Sequence, residues 1–124
     1  MIFVFGSNLG GWHGAGAAYY ALRNKGAVYH VGRGLRGRSY ALPTKGWQIQ
    51  TLPLGLIRKE VDTFIEQAKA LPEVEFQVTR IGCGLAGLRD EDVAPMFDQA
   101  PSNCLFDDKW KPYLAASKRF WGTF

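Results

Sequence analysis

The first 59 residues of this 124-residue chain contain no aspartate and no glutamate, yet they carry eight lysines and arginines. The remainder reverses the balance, with seven basic against eleven acidic side chains, leaving a net charge of +4. A half-sequence without acids excludes an acidic solvating tail and points to an anionic partner bearing phosphate, nucleotide or nucleic acid. Cysteine is scarce too: Cys83 and Cys104 cannot make a disulfide framework, and both read as small buried hydrophobes of a reducing compartment. His13 and His30 lie far apart and no CxxC or HxxxH spacing occurs, so no metal site is expected. No apolar run approaches the ~20 residues of a membrane span, and no membrane partner is expected. The apolar opening Met1–Phe5 lacks a basic leader and meets Gly6 well short of the ~7–15 apolar residues of a secretory signal, which predicts a cytoplasmic protein. Repeats, low-complexity blocks and linkers are missing as well.

What is present reads as one globular domain over residues 1–124, with 47% hydrophobic residues and 14% aromatics. Such a length can bury roughly two thirds of the unfolded surface. Ile2 to Phe5 is a short unbroken apolar run, predicting a buried strand. Ala17 to Lys25 predicts a helix stopped at Gly26, and Val28 to Val31 and Ser39 to Leu42 predict short strands, the second ending at Pro43. Ile49 to Leu52 is a further strand candidate. Ile57, Val61, Phe64, Ile65, Ala68 and Leu71 recur at helical spacing up to Pro72. Val74, Phe76 and Val78 alternate toward Ile81. Asp90 is placed as the N-cap of a helix reaching Gln99, Cys104 to Phe106 as a strand, and Asp107 or Asp108 as the cap of a terminal helix carrying Trp110, Tyr113, Leu114 and Phe120. This alternation predicts a three-layer α/β/α fold with a mixed, largely parallel sheet.

Two glycine-rich loops, Gly6 to Gly16 and Gly82 to Gly87, each follow a strand and precede a helix. In such folds they meet at the carboxyl edge of the sheet, where backbone N–H groups and a helix N-terminus can cradle a pyrophosphate. The plainer reading is that the glycines only permit tight turns. The G-x-G-x-x-G spacing of a dinucleotide site occurs twice. At Gly32, Gly34 and Gly37 no helix follows, and the stretch reads as a loop. At Gly82, Gly84 and Gly87 an acid, Asp107, lies 20 residues on, but Leu88 to Asp90 separate the last glycine from the helix.

Lys45 is placed just past the end of a buried strand, at the same edge as the loops. It can bind phosphate as a point charge or, if desolvated, act as a nucleophile toward a carbonyl-like carbon; most lysines are simply solvated. His13 is the candidate acid–base group, against the reading of an incidental loop histidine. Asn8 can meet sugar hydroxyls or cap its own turn. No Ser/His/Asp or Cys/His set is spaced for hydrolytic nucleophilic catalysis.

Phe5-Gly6-Ser7-Asn8, His13-Gly14-Ala15-Gly16-Ala17-Ala18, Tyr40-Ala41-Leu42-Pro43-Thr44-Lys45 and Arg80-Ile81-Gly82-Cys83-Gly84-Leu85-Ala86-Gly87-Leu88 together resemble the macro domain. They are most similar to its lysine-dependent branch, which includes the terminal ADP-ribose protein glycohydrolase and antitoxin domains that remove ADP-ribose from DNA bases. The likeness runs from Met1 to about Phe106. It implies binding of ADP-ribose or an ADP-ribosylated protein or nucleic acid, with no cofactor. Ser7 and Asn8 would lie near the distal ribose, Gly14, Ala15, Gly16 and Ala17 over that ribose and the diphosphate, and Thr44 beside Lys45. Ile81, Gly82, Cys83, Gly84, Leu85, Ala86 and Gly87 would form the opposing loop. Lys45 matches the lysine that attacks or activates the anomeric carbon, with release of ADP-ribose.

Ala86 stands where protein-directed members carry aspartate, which favours nucleic-acid conjugates or a reader without turnover. The usual leading strand, whose aspartate contacts adenine, has no counterpart, so stacking on Trp12, Phe106 or Trp110 is expected instead. The tail after Phe106 has no counterpart either. The charge of the first half is expected to gather around the diphosphate, although Arg33, Arg36 and Arg38 equally suit a nucleic-acid surface or a solvated loop.

Overall fold

Unbroken apolar residues after Met1 suit a strand covered on both faces, and Ile2–Asn8 forms β1 inside a six-stranded sheet. The computed structural model describes residues 1–124, with sheet order β2-β3-β1-β4-β5-β6. The other strands are β2 (Gly34–Arg36), β3 (Ser39–Lys45), β4 (Phe76–Val78), β5 (Cys104–Asp107) and β6 (Arg119–Gly122). Every pairing is parallel except β2 with β3. This is the expected α/β fold.

Side-chain alternation on β1 divides the core in two. Phe3 and Phe5 point to helix α1 (Gly16–Asn24) and pack with Ala18, Ala21 and Ala41. Val4 points the other way, and the register sets Tyr40, Val4, Val78 and Phe106 in one row across the sheet. That row packs on Ile57, Val61, Phe64, Ile65 and Ala68 of α2 (Leu54–Ala70), the apolar stripe read from the sequence. The short α3 (Asp90–Val93) and 3₁₀ turns at Ala94–Phe97 and Asp108–Tyr113 complete that layer.

Several expected elements differ. Val28 to Val31 is a turn, with His30 at φ +69°, and not a strand. The glycines at 34 and 37 open β2 and turn its hairpin. β3 runs through Pro43 to Lys45, because β2 covers it only as far as Ala41 and beyond that a missing N–H leaves no ladder bond unmade on that side. Ile49 to Leu52 contributes one bridge, Thr51 to Lys45. The helix at Asp90 turns to 3₁₀ at Ala94 where Pro95 enters, and its cap is Arg89, since the Asp90 carboxylate is engaged elsewhere. Asp107 does cap, accepting from Lys109 N at 2.9 Å, but the segment is one 3₁₀ stretch, and Phe120 belongs to β6. No helix is long and apolar enough to cross a membrane.

The connections after β1 and β4, neighbours in the sheet, leave in opposite directions: α1 leads to β3 on one side, while α3 leads to β5 on the other. Such a switch point opens a crevice at the carboxyl ends of the two strands.

Candidate functional site

That crevice is a cavity of about 490 Å³, the size of a small-ligand site. Its walls are the loops after β1, β3 and β4. The first loop is folded by Asn8, whose Nδ2 donates to Trp12 O (2.9 Å) while its Oδ1 accepts from Trp12 N (2.8 Å). Both polar atoms of Asn8 are therefore spent on the turn, although the residue lines the cavity. Gly11, at φ +69°, lies where a Cβ would come within 2.5 Å of the His30 backbone. Gly14, Ala15, Gly16, Ala17 and Ala18 follow along the wall. The first N–H to close on α1 is that of Tyr19, onto Ala15 O at 3.2 Å, so the N–H groups of Gly16, Ala17 and Ala18 stay open at the positive end of the helix.

The second loop faces the first. Gly84, Leu85 and Ala86 line the cavity, and their N–H groups also make no bond within the chain. Thr51 Oγ1 holds this run from behind by donating to Ala86 O at 2.9 Å. Leu85 reaches across the cleft, its Cδ1 3.4 Å from where a Gly16 Cβ would stand. At the root, a Gly6 Cβ would come within 3.2 Å of Gly82 N, so glycine lets β1 and the loop approach. Two sets of N–H groups without a partner in the chain thus belong to residues lining one cavity, the kind of donor set that binds phosphate oxygens.

Lys45 ends β3 beside them, partly buried and lining the cavity, with no hydrogen bond or ion pair from its side chain. Thr44 lines the wall next to it and donates from Oγ1 to Ser7 O at 3.3 Å. Ser7, also on the wall, donates to Gly32 O at 2.5 Å. The second cation on the wall, Arg80, was not anticipated. It forks onto Asp90 at 2.8 and 2.5 Å, and Asp90 also accepts from Trp110 Nε1 at 2.8 Å. The Arg80 guanidinium holds the Asp90 carboxyl below its usual range. No aspartate or glutamate side chain lines the cavity.

Four expected site residues do not line the cavity. His13 is fully buried, edge-on to Phe5 at 5.3 Å, with Nε2–H donating to Val31 O at 3.1 Å and Nδ1 without a partner. Burial lowers its pKa despite that bond. Ile81 belongs to the core, and Gly87, at φ +73°, shapes the loop. Cys83 donates to Ile81 O, and its thiol is pushed up to about 12 by burial and by Asp90, so it stays protonated.

Of the expected stacking rings, Phe106 and Trp110 are fully buried in the core, whereas Trp12 lines the cavity. A second wall ring comes from the unplaced tail. Phe124 packs on Phe3 and Tyr20 at 5.5 and 5.1 Å, and its N–H donates to Asp107 Oδ2 at 3.1 Å. Asp107 also takes Thr123 Oγ1 and is fully buried, which removes it from any role as a dinucleotide ribose acceptor.

The gathering of first-half charge is not what forms: of its eight cations only Lys45 lines the cavity. Arg33 is paired to Glu60 at 2.9 and 2.6 Å. His, Cys, Asp and Glu side chains nowhere come together in groups of three or more. Comparison of the chain with protein-family models, with curated proteins and with solved structures finds no match.

Proposed function

We propose that this is a macro-domain-like protein that binds ADP-ribose and hydrolyses an ADP-ribosyl linkage, with Lys45 as its catalytic residue. One observation carries the reading: an unpaired lysine shares a cavity with residues of two loops whose backbone N–H groups have no partner in the chain. The N–H groups of Gly16 to Ala18 and Gly84 to Ala86 would take the diphosphate from both sides. The distal ribose would lie toward Lys45, and the adenine against Phe124 or Trp12, in place of the aspartate that macro domains use.

In the reaction, the Lys45 side chain gives up a proton to water and its amine attacks the anomeric carbon. A C–N bond forms as the bond to the conjugated group breaks, and that group leaves with the electron pair and takes the proton shed by the amine. Water then adds at the same carbon, the amine departs, and ADP-ribose is free. Loss of the Lys45 amine by Lys45→Ala is expected to reduce ADP-ribose release from a conjugate by at least about a hundredfold, with free ADP-ribose still bound. Release by the variant at the wild-type rate refutes this role.

The absence of any aspartate or glutamate side chain from the wall favours a second reading, a reader that binds without turnover. Saturable ADP-ribose binding, with no release from any conjugate by the wild-type protein, distinguishes it.

A further inference from the structure

We propose that Thr51 is a positioning residue for the reaction: its hydroxyl fastens the second loop to the turn that follows Lys45, so that the loop taking the diphosphate also sets where the amine stands; this rests on Lys45 acting at the ribose carbon. Lys45 is tied to the first loop through the backbone, its carbonyl accepting from Leu9 N at 2.9 Å. Toward the second loop, residues 45–52 make one hydrogen bond, from Thr51 Oγ1 to Ala86 O at 2.9 Å. A single side chain therefore closes the frame around the cavity.

Both ends of that bond are placed by the fold. Thr51 stands opposite Lys45 in an antiparallel bridge, and the next residue continues the pairing, Leu52 N donating to Thr44 O at 2.9 Å. Residues 46–50 between them are closed by Gly46 N donating to Gln50 O at 2.8 Å and Ile49 N to Gly46 O at 3.1 Å. The Gln50 amide fills the space a Gly46 Cβ would need. A displacement of Thr51 thus carries Lys45 with it.

At the other end, Gly87 N donates to Gly84 O at 3.0 Å and closes a tight turn with Leu85 and Ala86 at its tip. The Arg80–Asp90 pair and Leu88 N on Gly82 O at 2.9 Å fix the root of this loop but not the tip. The bond from Thr51 is the one hydrogen bond that Leu85 and Ala86 make, which leaves their N–H groups for a ligand. Thr51 itself is exposed and belongs to neither hydrophobic cluster, so losing its hydroxyl leaves the core intact.

The consequence is one of distance. Attack needs the amine about 3–3.5 Å from the anomeric carbon, and a misplacement of about 1 Å costs roughly a hundredfold in rate. The diphosphate fixes that carbon relative to the second loop, and Thr51 fixes the lysine turn relative to the same loop.

The test uses the whole chain with Thr51→Val, which keeps the shape and removes the donor, and Thr51→Ser, which keeps the donor. Release is followed on the faster of two substrates, ADP-ribose carried on an oligodeoxynucleotide or on a glutamate peptide. In Thr51→Val, kcat is expected to fall about tenfold while the Kd for free ADP-ribose changes less than about threefold; Thr51→Ser should stay within about threefold of the wild type in both. Wild-type kcat in Thr51→Val overturns the proposal, as does a loss confined to KM or a loss that Thr51→Ser shares. Amide exchange reads the same tie without turnover. Bound ADP-ribose should slow exchange in residues 46–50 of the wild type and Thr51→Ser but not of Thr51→Val, and equal slowing in all three overturns it. Turnover of neither substrate by a wild-type protein that binds ADP-ribose is a different result and removes the catalytic reading of Lys45.

Discussion

Burial of the His13 ring with no partner at Nδ1 has a consequence in acid. In the unfolded chain an imidazole takes a proton below about pH 6.5, whereas the buried ring resists it because its folded pKa is lowered. The unfolded state therefore binds more protons, and stability falls as the pH drops from neutral through that value toward the lower folded pKa. Urea unfolding at pH 7.5 and 5.5 should show this loss, and His13→Phe should flatten the difference; an unchanged difference would show that His13 does not cause it. At Gly84 the expected effect is on the ligand. A Cβ there meets nothing within 4 Å, and the residue lines the cavity, so Gly84→Val should leave the Tm unchanged and weaken ADP-ribose binding about tenfold or more by filling the space. Equal affinity in calorimetry would place the ligand elsewhere.

Among the elements, the junction of α2, β4 and β5 depends on one amide. Asn103 Nδ2 lies 3.0 Å from Ala68 O, 2.9 Å from Leu71 O and 2.9 Å from Val74 O, so its two N–H groups are shared among carbonyls at the end of α2 and in the turn beyond it. Asn103→Ala leaves Val74 O without a partner, whereas Ala68 O and Leu71 O still accept from Leu71 N and Val74 N, and should destabilise the protein by roughly 1–3 kcal/mol in denaturant unfolding, without altering ligand affinity. Nothing local in the sequence marks this residue, because its partners lie about thirty positions away in the chain. The same reason separates the legible elements from the rest. β1 and α2 carry their period in adjacent residues, and the loops after β1 and β4 announce themselves as glycine between a strand and a helix. β6 has four residues, and its place is set by parallel pairing to β5 and by Trp121 Nε1 donating to Val78 O at 2.9 Å. Phe124 was therefore invisible as a wall residue. His13, the candidate acid–base group of the first loop, is instead buried with its ring edge-on to Phe5, a long-range placement that its glycine-rich surroundings do not announce.

At the scale of the molecule, the strand order decides where chemistry can occur. The divergence of connections after β1 and β4 opens the crevice, and β3, on the other side of β1, delivers Thr44 and Lys45 to the same edge. The acid-free half of the sequence acts less by concentrating charge than by leaving Lys45 without a counter-ion, while its other cations spread over the surface. A ligand bound only by the folded state stabilises it by about 2.7 kcal/mol at a hundred times its Kd, so ADP-ribose should raise the Tm by a few degrees. Calorimetric titration of ADP-ribose into the wild-type protein tests the central claim most directly. One saturable site with micromolar affinity, weakened by Gly84→Val, is the expected result; absence of saturable binding to the wild-type protein would contradict it.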